Sequence, residues 1–223
     1  MEFKNLKEID VILNKINYCI PYDYYNRHHG YVTKIMGDES YDSITNRYIY
    51  SNLIGGENTS DGIKFNDKPY FKIRIDDNDI LLKQKFLQNI ASKYDLYYGL
   101  KVEGFTIKDV DVEKNTYRTL KQSPILISKK YKKDYLTEEE LFDTEKYLID
   151  SIMRKSETVG FDIDPNFSLK IKRMHNHKDI LYNGIINKGR VFELEIKSNQ
   201  ETKNFILLNG IGRSCGTGFG FIY

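Results

Sequence analysis

Asn209–Tyr223 reads NGIGRSCGTGFGFIY, and five of the chain's fifteen glycines fall in it, at 210, 212, 216, 218 and 220. A leucine-rich helical segment, Asn204–Leu208, leads in, and the aromatic run Phe219–Tyr223 leads out as a strand. Such an end is apolar and dense in glycine where a frayed tail would be polar, so something passes close to its backbone. The order is helix, glycines, strand. The dinucleotide fingerprint has a strand before its glycines and a helix after, so this stretch is not one. Glycine admits φ > 0 and lets a partner approach without a Cβ in the way. Successive exposed N–H groups form an anion-binding concavity, and Arg213, Ser214 and Thr217 add a cation and two hydroxyls suited to phosphate. A plain glycine-rich turn feeding an edge strand fits the composition equally well.

Upstream of this stretch, the element order repeats. Residues 8–17 alternate apolar and polar as a strand. Pro21 opens a helix over Tyr22–Met36, ended by Gly37. Tyr48–Leu53 is a short strand, Gly55–Gly62 a polar loop, and Ile63–Phe65 and Tyr70–Ile75 are strands with Asp67 and Lys68 in the turn. Asp77–Asp79 caps a helix over Ile80–Tyr94 that carries Ile80, Leu81, Phe86, Leu87, Ile90 and Tyr94. Leu100–Val112 alternates again. This is β-α-β-β-α-β, the ferredoxin-like pattern.

After a polar join at 113–119 the order restarts: a strand at Ser123–Ser128, then a helix at Glu138–Ser156 capped by Thr137 with Glu138, Glu139 and Glu140 in its first turn. Strands at Phe167–Met174, Ile180–Ile186 and Val191–Lys197 form a hairpin, a helix follows at Asn199–Leu208, and Phe219–Tyr223 closes the order. The expected architecture is α+β: two tandem ferredoxin-like (RRM-type) βαββαβ domains, 1–115 and 116–223, the second carrying the glycine-rich loop.

Composition narrows the setting. The chain has 223 residues, 30% charged and 40% hydrophobic, with a net charge of +2. No apolar run approaches the roughly 18 residues of a membrane span, and MEFKNLKEID lacks a signal-peptide core. Cys19 and Cys215 stand far apart with no CxxC, so a disulfide framework or zinc site is not expected and a cytoplasmic protein is.

The distribution of charge says more than its sum. Lys129, Lys130, Lys132 and Lys133 flank Tyr131, which reads as a solvated turn. In LKIKRMHNHKD, Lys170 and Lys172 alternate with Leu169, Ile171 and Arg173, so the two lysines share a strand face. With His175, His177 and Lys178 nearby, this is the footprint of nucleic-acid binding. His175 and His177 share a face as a metal pair would, but only Asp179 stands near as a further ligand, so a hairpin tip facing RNA or solvent is the better reading and no metal is expected. On the first helix, Tyr24, Tyr25, His28, Tyr31, Val32, Ile35 and Met36 form one stripe, with His28 near its centre and His29 at its edge. Tyr25 can reach either histidine. Taken alone, a His-His pair on a helix is structural more often than catalytic.

These residues resemble a known family. GIGRSCGTGFGFIY is similar to the signature loop of the CRISPR-associated repeat-processing endoribonucleases of the RAMP superfamily: Gly-hydrophobic-Gly, five residues, Gly-hydrophobic-Gly, then a short apolar strand. The strand and helix before it (VFELEIKSNQETKNFILLNG), SPILIS, YLTEEELF and YIYSNLIGG resemble family segments in the same order. The resemblance implies metal-independent cutting of the precursor CRISPR transcript within each repeat, by attack of the 2′-hydroxyl beside the scissile phosphate. It also implies no cofactor. The partners it implies are the repeat RNA (pre-crRNA) and subunits of the CRISPR effector complex, with no membrane, for a monomer or homodimer. Family practice points to a histidine in or after the first helix, so His29 is the expected catalytic residue, with His28, Tyr25 and Lys34 the other candidates. The RNA-binding set implied is Gly210, Gly212, Arg213, Ser214, Gly218 and Gly220 with Lys170, Lys172, Arg173 and His175. Many members carry a histidine shortly before an aromatic-Ser-Pro-Leu segment; here Ser43–Arg47 holds none, and Asn52 replaces the proline. The alternative is a non-cutting RNA-binding subunit of an effector complex.

Overall fold

The computed structural model describes residues 5–37, 47–92, 96–127, 138–182 and 184–223, the side chains of Glu138, Asn176 and His177 excepted. Thr137, Tyr94, Ser43–Asn46 and the lysines at 129, 130, 132 and 133 lie outside the described residues, as does the side chain of His177.

The first sheet contains β1 (Leu6–Leu13), β2 (Tyr48–Tyr50), β3 (Ile54–Thr59), β4 (Gly62–Asp76) and β5 (Val102–Asp109), in the order β2-β4-β1-β5 with β3 also on β4. Its helices are α1 (Tyr25–Met36) and α2 (Ile80–Ala91). The first strand sits between the third and fourth of the motif, which is the ferredoxin-like order. Ile9 and Val11 of β1 and Phe71 and Ile73 of β4 are all buried, packed with Val32, Ile35 and Met36 of α1. Each such side chain contributes about 1.5–3 kcal/mol relative to exposure. On α2 the buried stripe is Leu82, Phe86 and Ile90, while Ile80, Leu81 and Leu87 face outward, because i, i+4, i+8 is the row that meets the sheet.

The second sheet pairs β6 (Thr116–Arg118), β7 (Ile125–Leu126) and β8 (Ser168–Tyr182) with β9 (Ile185–Lys197). Two helices, α3 (Glu138–Val159) and α4 (Gln200–Asn209), complete the unit. Leu148 and Ile152 of α3 and Phe205 to Leu208 of α4 share a core with Phe192, Leu194 and Ile196.

Five expectations change. Gly55–Gly62 is an edge strand rather than a loop: backbone pairing to β4 does not require apolar side chains, and the turn falls at Ser60 and Asp61. Asp67 and Lys68 do not turn the chain; β4 runs through them, and they lie where the β3–β4 register shifts. The join at 113–119 contains β6, with Tyr117 buried opposite Leu194. HNHKD is not a hairpin tip, since β8 continues to Tyr182 with bulges at Ile171/Arg173 and His175/Lys178, and the turn is at Gly184. Phe219–Tyr223 takes the place of the fourth strand only briefly. Arg118 and Tyr223 exchange two backbone bonds of 2.9 Å, and Ile222 bridges Thr119.

The two units meet on α4, whose residues 202–209 are all buried. Arg74 of β4, 1% exposed, donates to Leu207 O at 2.9 Å, to Ile222 O at 3.2 Å and to Glu8 Oε2 at 2.6 Å. A buried guanidinium is costly unless its donors are met; here the carboxylate of the first sheet and carbonyls on both sides of the glycine stretch meet its two terminal nitrogens, while Nε has no hydrogen-bond partner.

Candidate RNA interface

Helix α1 starts one turn after Pro21, and Gly37 closes it in the left-handed region. His28 is fully buried. Its Nε2–H donates to Ser51 O at 3.0 Å and its Nδ1 accepts from the Tyr97 hydroxyl at 2.9 Å. Phe71 meets the ring edge-on at 4.8 Å between centroids. Burial pushes the imidazole down to about 4, so it is neutral at pH 7 with one donor and one acceptor engaged.

His29 is 7% exposed. Its Nδ1 lies 2.6 Å from the Tyr50 hydroxyl, and the two rings stack with centroids 6.1 Å apart. Burial lowers its pKa as well. Tyr25 stacks on Tyr24 at 4.4 Å and on Phe219 at 6.0 Å, and burial pushes its phenol up to about 12, which makes it a proton holder rather than a base. Lys34 is exposed near the helix end. Of the four catalytic candidates, three are therefore enclosed and one faces solvent.

The glycine loop reaches α1. A short 3₁₀ turn, Cys215–Thr217, leads to Gly218, with φ of +85°, and a Cβ there would sit 2.8 Å from Tyr50 Cε2. At Gly220, with φ of +70°, a Cβ would overlap the Ile211 carbonyl oxygen. The close approach that these glycines permit is thus made by the protein's own atoms. Gly210, Gly212, Gly218 and Gly220 are buried, while Arg213 and Ser214 are exposed at the loop's outer turn. Asn52 Nδ2 donates to Gly218 O at 2.8 Å and to Gln122 O at 3.0 Å, and Asn52 N–H donates to Ser123 Oγ at 2.8 Å. From the other side, α3 holds the loop: Ser151 Oγ donates to Gly212 O at 3.1 Å, and Lys155 Nζ donates to Asn209 O at 3.0 Å and Gly210 O at 2.9 Å. A cation on the last carbonyls of α4 also suits that helix's dipole.

None of Tyr50, Asn52, Ser151 and Lys155 was among the site residues expected from the sequence. Ser151 and Lys155 are four apart on a helix, a polar pair on one face that could have signalled a partner. Asn52 stood out only as a departure from the family pattern. Tyr50 carried no signal beyond its place in a strand.

The basic residues of β8 form a separate group. Lys170, Lys172, Arg173 and His175 are all exposed. The bulge at Lys172 puts Arg173 across from Glu193 and Lys170 across from Glu195, so Arg173 joins the outward face instead of alternating with the lysines. Lys172 pairs with Glu195 at 3.1 Å. Tyr182, at the far end of β8, meets Phe219 of the loop with centroids 5.8 Å apart. At about 3.3 Å per residue, Lys170 stands roughly 35–40 Å along the strand from it. β8 therefore runs from the cationic strip to a contact with the loop. His175 opens onto a cavity of about 720 Å³ between them and β3.

Residues 108–223 match the family model for CRISPR associated protein Cas6, C-terminal. A search of curated proteins returned no match. Among solved structures, a Cas6-related protein from Pyrococcus furiosus is similar with a TM-score of 0.75 and 18% identity, covering 99% of this chain and 98% of that one. A structure described as a RAMP protein binding different RNA substrates gives 0.71 and 18%, and one described as CRISPR associated protein Cas6 gives 0.72 and 15%; each comparison covers 98% of both chains. The tandem ferredoxin-like fold is theirs. With the family model spanning more than half of its length, the chain belongs to the Cas6 family of CRISPR-associated proteins.

Proposed function

We propose that this chain binds CRISPR repeat RNA and cuts the precursor transcript within each repeat. One observation carries the reading: the glycine loop of the second unit docks on α1 and β2 of the first, through Phe219 on Tyr25 and Gly218 on Tyr50, with His29 bonded to that same Tyr50. The two parts of the site implied by the sequence, nearly two hundred residues apart, thus meet at one junction. Likeness to structures described as a Cas6 product complex and as Cse3 of Thermus thermophilus bound to an RNA representing a pre-cleavage complex supports the same reading.

In the proposed reaction the 2′-hydroxyl beside the scissile phosphate attacks phosphorus, the 5′-oxygen of the next nucleotide leaves, and a 2′,3′-cyclic phosphate remains. No metal is required. His29, neutral at pH 7, takes or orients the hydroxyl proton. Lys34 offsets phosphate charge, and the phenol of Tyr25, held protonated, belongs to the donor side. Arg213 and Ser214 at the loop, with Lys170, Lys172, Arg173 and His175 on β8, hold the strand. We place the division between the two units at 115/116 and the protein in the cytoplasm. Among the described residues no helix is long and apolar enough to cross a membrane.

A second reading has its own observation. His28, His29 and Tyr25 are all buried, as a protein that binds repeat RNA within an effector complex without cutting it would have them. Incubating the protein with end-labelled repeat RNA in EDTA separates the two. Product ending in a 2′,3′-cyclic phosphate supports cutting, and tight binding without product supports the second reading.

A further inference from the structure

Cys215 carries a nucleophilic sulfur that the proposed reaction does not use. It opens the 3₁₀ turn of the glycine stretch and is 4% exposed. Lys155, half-buried on α3, brings Nζ to 3.1 Å from Cys215 Sγ. Two carbonyls hold that nitrogen in place, Asn209 O at 3.0 Å and Gly210 O at 2.9 Å. The sulfur is held as well. Its S–H donates to Gly212 O at 3.5 Å, and a Cβ on Gly220 would stand 2.9 Å from it, so the glycine is what leaves the thiol room. An amine and a thiol are thus kept in hydrogen-bond contact, each with its other bonds made. Fixed proximity of this kind gives a reaction between the two groups a high effective concentration.

We propose that Lys155 and Cys215 are a site of oxidative modification, joined under peroxide through one oxygen atom as an Nζ–O–Sγ link that ties the glycine loop covalently to α3. The link stands independently of the RNA-binding reading. Lys155–NH3+, Cys215–SH and two molecules of hydrogen peroxide give Lys155–NH–O–S–Cys215, three waters and one proton. Sulfur and nitrogen each give up two electrons, each pair reduces one peroxide, and one peroxide oxygen stays between the two atoms. The bonds formed are Nζ–O and O–Sγ. Those broken are S–H, two N–H and both peroxide O–O bonds. A bridging oxygen joins the atoms near their present separation of 3.1 Å, whereas a direct S–N bond would need them to close well inside that contact.

Burial of Cys215 shuts out bulky thiol caps such as glutathione and favours a small oxidant. The chain carries its own control. Cys19 is the more exposed thiol and faces the Thr59 hydroxyl at 3.6 Å instead of an amine. It follows the ordinary ladder through sulfenic to sulfinic and sulfonic acid. The link also changes what holds the loop. Nζ keeps one N–H, so one of its two bonds to the Asn209 and Gly210 carbonyls is lost and the bridge takes over. The turn that carries Arg213 and Ser214 is then tied to α3 at both ends, by Ser151 at Gly212 and by Lys155 at Cys215.

The test is a peptide map of the full chain after treatment with hydrogen peroxide. Trypsin spares the modified lysine, so the link joins Lys155–Lys170 to Ser214–Tyr223, neither of which holds methionine. The expected species is about 14 Da heavier than the two peptides together, one oxygen gained and two hydrogens lost, and dithiothreitol added afterwards frees both. Its yield should fall by about tenfold or more when the peroxide is applied in urea, where the fold no longer holds the groups together. Lys155→Arg should give no link and leave Cys215 as sulfinic or sulfonic acid. A Cys215 peptide bearing only added oxygen beside an unmodified Lys155 would overturn the proposal, as would an untouched Cys215 in chains whose Cys19 is oxidised. A joined species about 2 Da lighter than the two peptides, the mark of a direct S–N bond, would overturn it too, and so would a yield that urea leaves unchanged.

Discussion

His29 Nδ1 lies 2.6 Å from the Tyr50 hydroxyl, and the same Tyr50 ring packs where a Cβ on Gly218 would stand. One tyrosine therefore ties the histidine of the first unit to the loop of the second. The proposed role requires the tautomer in which Nδ1–H donates to the phenol oxygen, which leaves the lone pair on Nε2 to take the hydroxyl proton. Tyr50→Phe keeps the ring and removes the acceptor. Cutting should fall by about 10- to 100-fold, while repeat-RNA affinity changes by less than about twofold. The pH–rate profile should shift as well, since the histidine loses the bond that fixes its tautomer. An unchanged profile would make the contact a packing feature only.

The buried His28 predicts a pH dependence of stability. Burial depresses its folded pKa to about 4 from the ordinary histidine value of 6.5. Below 6.5 the unfolded chain takes a proton that the folded chain refuses, so the stabilisation is present above 6.5 and lost as pH falls toward 4. The loss should reach the order of 3 kcal/mol at most. Urea unfolding across this window should show His28→Gln with a flatter slope than wild type. Equal slopes would mean that other groups dominate.

Two glycines make a controlled pair. Gly220 has φ of +70° and faces the Ile211 carbonyl, so Gly220→Ala should destabilise by more than about 2 kcal/mol. Gly30 lies inside α1 with nothing within 4 Å of its would-be Cβ, so Gly30→Ala should stabilise by about 0.5–1 kcal/mol. Thermal melts of both variants check the sign difference.

Arg74 joins the units, and Arg74→Ala would leave Glu8 buried with one partner fewer. A loss of about 3–5 kcal/mol is expected. Burial and the opposing charge of Arg74 act on Glu8 together with Lys72, and the net effect lowers its carboxyl to about 2. In Arg74→Ala the acid limb of unfolding should therefore move to higher pH, a change that denaturation at several pH values reads directly.

Arg213→Ala and Lys172→Ala address the strand-holding surface. Each should weaken repeat-RNA binding and flatten its salt dependence by about 0.7. Because Lys172 is already paired with Glu195, its effect should be the smaller of the two. Unchanged binding in both would mean that the RNA lies elsewhere.

The order of elements was legible in the sequence because alternation, caps and Gly37 are local signals. The glycine spacing was legible as a family loop, but its physical cause was not: what approaches Gly218 and Gly220 is Tyr50 and Ile211, and no local pattern tells a ligand from the protein itself. His175 read as a turn because HNHKD is polar, whereas two bulges let β8 carry it through exposed.

The account turns most directly on cleavage of end-labelled repeat RNA in EDTA by wild type and by His29→Ala. It predicts a 2′,3′-cyclic phosphate product from wild type, and from His29→Ala no product with repeat-RNA affinity unchanged. Wild-type-rate cutting by His29→Ala would contradict the site, and tight binding without product by wild type would contradict the enzyme.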